Sequence, residues 1–130
     1  MELNTINILN EYSYDITKLD LSYKNIINIL DLQKFICLKE LNCSNNNITD
    51  LKNLPDNLIE LDCSKNKITE LDNLPNNLIK LDCSWNQITK LDNLPNNLKE
   101  LNCSNNNIIK LDNLPNSLEK LNCQYLLYYY

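Results

Sequence analysis

The sequence predicts a solenoid of stacked parallel β-strands, with one short strand in each turn. Five cysteines recur every twenty residues in the same context, LxxLxC, at Cys43, Cys63, Cys83, Cys103 and Cys123. Apolar and polar residues alternate around each cysteine, as in a strand with one buried face. A proline recurs with the same period, which excludes a long helix in the return segment. Internal repeats of this length build solenoids.

The repeat units can be aligned on their first apolar residue. They begin at Ile16, Leu38, Leu58, Leu78, Leu98 and Leu118. In a full unit, positions 1, 4, 6, 11, 14 and 17 are apolar and most others are polar. Because one unit alone cannot bury these side chains, its stability must come from stacking on its neighbours. We expect about six short strands, joined by extended segments or a single 3₁₀ turn.

The two ends depart from this pattern. Residues 1–15 precede the first unit and predict a short N-terminal cap, the repeats extend over residues 16–126, and residues 127–130 form a tail. An open solenoid end exposes apolar side chains and an unpaired strand edge. The last residues therefore either fold back as a lid or support dimerisation. These residues are Tyr125, Leu126, Leu127, Tyr128, Tyr129 and Tyr130.

Asparagine recurs at position 9 of four units, at Asn46, Asn66, Asn86 and Asn106. An inward amide at this position can satisfy backbone groups of adjacent turns that lack a strand partner, so we interpret the row as a structural ladder. The chain contains no glycine. Other asparagines are therefore candidates for positive φ at turns, because asparagine tolerates that conformation. The candidates are Asn76, Asn77, Asn96 and Asn97.

The five periodic cysteines fall on the buried strand face and should form a column with a spacing of about 4.8 Å. Cysteine packs well as a small apolar side chain. A zinc site needs tetrahedral convergence, whereas identical positions in parallel strands form a straight line. We therefore favour core packing over disulfides or metal binding. Cys37 lies outside this column and is expected to be a more exposed thiol.

The segments LDCSKNKI at 61–68, LDCSWNQI at 81–88 and LNCSNNNI at 101–108 match the pattern LxLxxNxL. Together with the LPxNLxxL return, this sequence resembles the leucine-rich-repeat family, in its short twenty-residue class. That class is found in bacterial effectors and in large DNA viruses of amoebae. The resemblance implies a right-handed solenoid with a curved parallel sheet and protein binding on the concave face. The Asn-, Lys- and Ile-rich composition favours a mimivirus-type viral protein that acts on a host protein.

On the concave face, position 5 forms a row of Asp and Asn, and position 7 forms a row of Ser. Asp62 and Asp82 in neighbouring strands could hold a divalent cation, but a solvated sheet face is the favoured interpretation. Trp85 is the single tryptophan, and exposed aromatic residues are enriched among binding hot spots. The candidate partner-binding residues are Trp85, Tyr23, Asp62, Asp82, Lys65 and Asn102.

Composition excludes several classes of function. The chain has no histidine and no glycine-rich phosphate loop, so we expect a non-enzymatic protein without cofactor or metal. A net charge of −5 with no arginine argues against nucleic-acid binding. No segment is apolar enough to span a membrane, and no signal sequence is recognisable, which predicts a cytoplasmic protein with reduced thiols. Two alternatives stay open: a self-associating structural protein, and a product of repeat expansion without a selected function.

Overall fold

The computed structural model describes residues 5–29 and 32–124. The first element among the described residues is a short helix, α1 (Thr5–Leu9), and a 3₁₀ helix covers Leu32–Lys34. The strands are β1 (Lys18–Asp20), β2 (Glu40–Asn42), β3 (Glu60–Asp62), β4 (Lys80–Asp82), β5 (Glu100–Asn102) and β6 (Lys120–Asn122). All six form one parallel sheet in chain order, which confirms the predicted solenoid. No helix among the described residues is long and apolar enough to cross a membrane.

Neighbouring strands pair without any offset between repeats. Leu41 is opposite Leu61, Leu61 is opposite Leu81, and the residues on either side follow the same register. Equivalent residues of successive units therefore lie side by side, about 4.8 Å apart. Each repeat position becomes a row that runs along the solenoid, so the function of a row can be considered as a unit.

The core consists of such rows. In the central repeats Leu58, Cys63 and Ile68 are completely buried, and the leucines at positions 4 and 14 are 2–3% exposed. The proline of each return segment opens a tight turn: the N–H of Leu78 donates to the carbonyl of Pro75 at 3.1 Å. The return path therefore carries turns instead of a helix, and the 3₁₀ helix occurs only in the proline-free connection, within the described chain.

The prediction of positive φ at Asn76, Asn77, Asn96 and Asn97 is wrong. The left-handed residues of the return segments are Asn53, Asn73, Asn93 and Asn113, with φ between 60° and 62°. The turn after each proline is instead closed by a backbone hydrogen bond to the proline carbonyl. The second central residue of this turn donates a hydrogen bond from its side-chain amide to the preceding unit, as in the bond from Asn77 Nδ2 to the carbonyl of Asp56 at 3.1 Å.

The two ends of the solenoid differ. At the N-terminal end α1 packs Leu9, which is 4% exposed, against the core, and Tyr14 contacts Phe35 edge to face at 5.5 Å. At the C-terminal end all three residues of β6 are exposed, and Leu121 is 38% exposed. Residues 125–130, to which the lid or dimer contact was assigned, lie outside the described residues.

Candidate protein-binding surface

An open groove of about 760 Å³ runs across the six strands of the sheet, and residues from every strand line it. The rows at positions 3 and 5 project into it, because their neighbours at positions 4 and 6 point into the core. Asp62, Asp82 and Asn102, three of the predicted binding residues, lie in this lining. We call this surface the concave groove.

Position 3 forms a row of three lysines and three glutamates that pair across neighbouring strands. The three ion pairs are Lys18–Glu40 at 2.9 Å, Lys80–Glu60 at 3.4 Å and Lys120–Glu100 at 3.1 Å. The bond from Lys120 holds the pKa of Glu100 below its usual value, and Glu40 raises the pKa of Lys18. Because these pairs are exposed to solvent, they contribute little to stability.

Position 5 carries only Asp or Asn, and the structure gives the reason. The side-chain Oδ1 accepts a hydrogen bond from the backbone N–H two residues later, as in Asp62 with Ser64 at 2.9 Å. The same bond recurs in the five other repeats, from Asp20 to Asn122. This local bond turns the chain at the end of each strand, a known role of short side chains with an acceptor oxygen. The Asp and Asn residues of the groove are therefore also turn-forming residues.

Asp82 has the most hydrogen bonds of these groups among the described residues. Its Oδ1 accepts from the Ser84 backbone and hydroxyl, at 3.0 and 2.6 Å, and its Oδ2 accepts from Asn102 Nδ2 at 3.0 Å. In the first repeat, hydrogen bonds from Ser22 hold the pKa of Asp20 below its usual value. The carboxylate of Asp20 is accordingly charged at neutral pH. Local hydrogen bonds fix the orientation of both aspartates.

The groove carries an excess of negative charge. Its described lining includes three lysines and six carboxylates, a net charge of −3. Since each lysine is already paired with a glutamate, the aspartates of position 5 account for the excess. No group of three or more potential metal ligands occurs among the described residues. The groove therefore carries carboxylates and amides on an open surface.

The serine row does not line the groove, which corrects the prediction of an exposed hydroxyl stripe. Ser44, Ser84 and Ser104 are only 5–6% exposed, Ser22 and Ser64 are partly buried, and none of the five lines the groove. The strand ends at position 5, and the turn formed there directs position 7 inward. The alternation of inward and outward side chains therefore does not continue to position 7, where the sequence pattern predicted an outward side chain.

Trp85, Tyr23 and Lys65 were predicted to be concave residues, but they do not line the groove. They occupy position 8, three residues beyond the strand ends, and are exposed. All three have a left-handed backbone, with φ of 54–55°, as do Asn45 and Asn105 in the same row. The left-handed turn directs these side chains away from the sheet face.

The asparagines of position 9 lie inside, with exposures of 4–8%. The amide of Asn86 bridges two units: its Nδ2 donates to the carbonyls of Cys63, Cys83 and Ser84, and its Oδ1 accepts from the N–H of Ile68. Asn46, Asn66 and Asn106 make the equivalent bonds. No buried side-chain polar atom among the described residues lacks a partner.

The cysteine column lies directly beside this ladder. Cys43, Cys63, Cys83 and Cys103 are buried, Cys123 is partly exposed, Cys37 is exposed, and all six are free thiols. The thiol of Cys63 donates to the carbonyl of Asp82 at 3.4 Å, and Cys83 repeats this contact one unit further along. Burial raises the pKa of Cys43 to about 12 and that of Cys103 to about 11. Such thiols are poor nucleophiles at neutral pH.

The predicted set of binding residues included only part of the groove lining, because Lys18, Asp20, Glu40, Glu60, Lys80 and Glu100 line the groove as well. The signal was present in the repeat: positions 3 and 5 flank a buried leucine, so both must face the groove. The predicted binding set instead included Trp85, Tyr23 and Lys65 at position 8, because their residue types differ from repeat to repeat.

These features define a repeat protein: a single parallel sheet whose inner rows hold the fold together and whose outer rows line an open groove. Family profiles agree with this class. The Leucine Rich Repeat profile matches residues 37–56, and the FNIP Repeat profile matches residues 85–123. The chain is a leucine-rich-repeat protein with repeats of about twenty residues.

Solved structures support this assignment. YopM from Yersinia enterocolitica superimposes with a TM-score of 0.79 at 34% identity, covering 87% of this chain and 25% of YopM. A Shigella effector leucine-rich-repeat domain gives 0.75 at 30% identity, over 94% of this chain and 54% of that domain. InlJ from Listeria monocytogenes, whose functional domain includes a cysteine ladder, gives 0.69 at 37% identity, over 83% and 25% of the two chains.

The chain spans only about a quarter to a half of the length of these three structures. None of the curated protein sequences compared with it gives a significant match. The fold of the chain is that of an interaction module, and its structural neighbours belong to a class of proteins that are typically non-enzymatic.

Proposed function

We propose that the protein binds a partner protein in the concave groove and has no catalytic activity of its own. This proposal depends on the observation that the buried rows and the exposed rows of the repeat have different roles. The buried leucine, cysteine and asparagine rows account for the fold, whereas the charged row at position 3 is exposed and contributes little to stability. An exposed row that varies in sign from repeat to repeat suits the recognition of one particular partner.

The partner in this proposal is a protein of a host cell, bound in the host cytoplasm, and the source of the chain is viral. Support comes from the likeness to a Shigella effector domain and from free thiols throughout the chain. Because the groove has a net charge of −3, a partner with a basic contact surface is electrostatically complementary to it.

Affinity capture with paired variants tests the groove. The groove variant carries Glu60→Lys and Asp62→Asn, which changes the charge but keeps an acceptor for the turn at position 5. The control variant carries Glu70→Lys and Asp56→Asn, the same charge change at exposed positions outside the groove. We expect quantitative mass spectrometry to find proteins captured by wild type and control but reduced at least tenfold with the groove variant. Equal capture by all three chains would refute the proposal.

Self-association is a second candidate function, and the exposure of β6 favours it. Leu121 is 38% exposed on a strand that pairs with β5 alone among the described strands. An apolar residue on an open sheet edge suits end-to-end contact of two copies. Sedimentation velocity at micromolar concentration should then show a dimer that Leu121→Lys disrupts. A concentration-independent monomer would exclude this function.

A further inference from the structure

Trp85 has an unfavourable backbone conformation as well as an exposed side chain. Its φ is 55°, in the left-handed region, and its side chain is 57% exposed. Bulky residues are rare in this region because their Cβ atom crowds the following carbonyl oxygen. The fold therefore buries less than half of the indole and loses stability from the backbone conformation of this residue.

The same row also contains residues that are better suited to the left-handed conformation. Asn45 and Asn105 occupy the equivalent turns with the same φ of 55°. Asparagine tolerates this conformation best after glycine. The tryptophan is therefore not required by the geometry of the turn, and strained residues of this kind concentrate at functional sites.

The surroundings of Trp85 differ electrostatically from the groove. Positions 8 to 10 of the five described turns include Lys24, Lys65 and Lys67 and contain no carboxylate. Lys65 occupies the turn before Trp85, about one strand spacing away, because consecutive turns are linked by the bond from the Asn66 N–H to the Trp85 carbonyl at 3.2 Å. An exposed indole and two lysines, Lys65 and Lys67, thus lie on a basic strip beside an acidic groove.

We propose that Lys65, Lys67 and Trp85 form a second contact surface, which we call the aromatic edge. It binds a protein segment that carries a carboxylate next to a large apolar side chain. The carboxylate is attracted by the two lysines, and the apolar group packs on the indole. A nucleic acid is disfavoured as the occupant, because its phosphates would also approach the groove, with its net charge of −3.

A phage-displayed library of random twelve-residue peptides, selected on the full-length chain, provides the probe. Trp85 is the only tryptophan, so its fluorescence reports the binding of tryptophan-free peptides to the wild-type chain, and isothermal titration calorimetry gives the Kd for all variants. We expect enriched peptides to contain Asp or Glu beside Phe, Leu or Trp. Trp85→Asn and Lys65→Glu should each raise the Kd of these peptides at least tenfold. Trp85→Phe should retain most of the affinity, and Lys110→Glu, at an exposed position outside this row, should have no effect.

The variant Trp85→Asn is suitable because the fold already accepts asparagine in the two equivalent turns, and circular dichroism verifies that it is folded. Selection of no peptide, of basic peptides, or of peptides indifferent to Trp85→Asn would each overturn the aromatic edge. Peptides that lose affinity with Glu60→Lys and Asp62→Asn, but not with Trp85→Asn, would overturn it while supporting the concave groove. The two proposals can therefore fail separately.

Discussion

Asparagine has several roles among the described residues, and backbone position decides among them. At position 9 it is buried and bridges two units, as Asn86 does. At position 16 it supplies a left-handed turn, as Asn73 does with φ 62°. At position 20 it is exposed and donates one bond to the preceding unit, as Asn77 does. The energetic consequence of a substitution should follow the role and not the residue type.

Among substitutions at these three positions, replacement of the buried asparagine at position 9 should reduce stability the most. Asn86→Ala leaves the N–H of Ile68 and the carbonyls of two cysteines without their side-chain partner. We expect the free energy of unfolding in urea to fall by about 1–3 kcal/mol. Asn77→Ala, which removes a single exposed bond, serves as the control and should cost less than about 0.5 kcal/mol. Equal losses for the two variants would contradict the role assigned to position 9.

Replacement of Trp85 by asparagine should have the opposite effect on stability. The left-handed conformation costs a bulky residue about 1 kcal/mol more than asparagine. We therefore expect Trp85→Asn to raise the free energy of unfolding by about that amount, and the reverse change Asn105→Trp to lower it similarly. Urea denaturation of the two variants measures both. A destabilised Trp85→Asn would show that the indole makes a net favourable contribution to the fold.

The elements are unusually short. Each strand has three residues, and a bond from the backbone of position 7 to the side chain of position 5 ends it. Stability therefore depends on rows that cross the strands, chiefly the leucines, the asparagine ladder and the cysteine column. A column of thiols is compatible with this arrangement only while the thiols are protonated, because burial disfavours the charged form.

This requirement predicts a loss of stability at alkaline pH. Burial raises the pKa of Cys43 from 9.0 to about 12, so between these values the unfolded chain binds fewer protons than the folded chain. The contribution of this thiol is complete below pH 9 and declines as pH rises toward 12, by about 1.4 kcal/mol per pH unit. Urea unfolding under reducing conditions at pH 8, 9 and 10 should therefore show a steeper decline for wild type than for Cys43→Ala.

The comparison between the two chains removes the contribution of lysines and tyrosines, which titrate in the same range and are common to both. Parallel declines for wild type and Cys43→Ala would mean that the thiol ionises as easily in the folded chain as in the unfolded one. Burial of Cys43 in the core would then be inconsistent with its behaviour in solution.

The sequence was sufficient to predict the repeat period, the parallel sheet and its short strands, because a fixed period forces equivalent residues into equivalent environments. The end of each strand was less predictable. Alternation alone extends the groove to Ser84, whereas the hydrogen bond from the Ser84 backbone to Asp82 turns the chain before this residue. A period identifies which residues share a row, but local turn chemistry decides where that row points.

At the scale of the whole molecule the protein is close to one-dimensional. In the described sheet each strand pairs only with its neighbours in chain order, and every paired register is the same. The ladder bonds likewise connect only adjacent units. In such an array stability is approximately a sum of unit and interface terms, so units should be removable.

Deletion of one complete repeat tests this conclusion. Removal of residues 58–77 joins Asn57 to Leu78 and brings the proline turn of one unit to the strand of the next with every row intact. We expect a folded chain with the circular dichroism of the parent and a urea m-value lower by roughly a sixth, because the m-value scales with the surface exposed on unfolding. Its free energy of unfolding should fall as well, since one stacking interface is lost.

A deletion of half a repeat provides the matched control. Removal of residues 58–67 joins Asn57 to Ile68, so Leu61 and Cys63 are lost and the remaining half of the unit has no strand to present to its neighbours. We expect this shorter deletion to be more damaging than the longer one, with loss of a cooperative urea transition or a much lower midpoint. If the ten-residue deletion proved the more stable of the two, the stacking of whole twenty-residue units could not be the main source of stability.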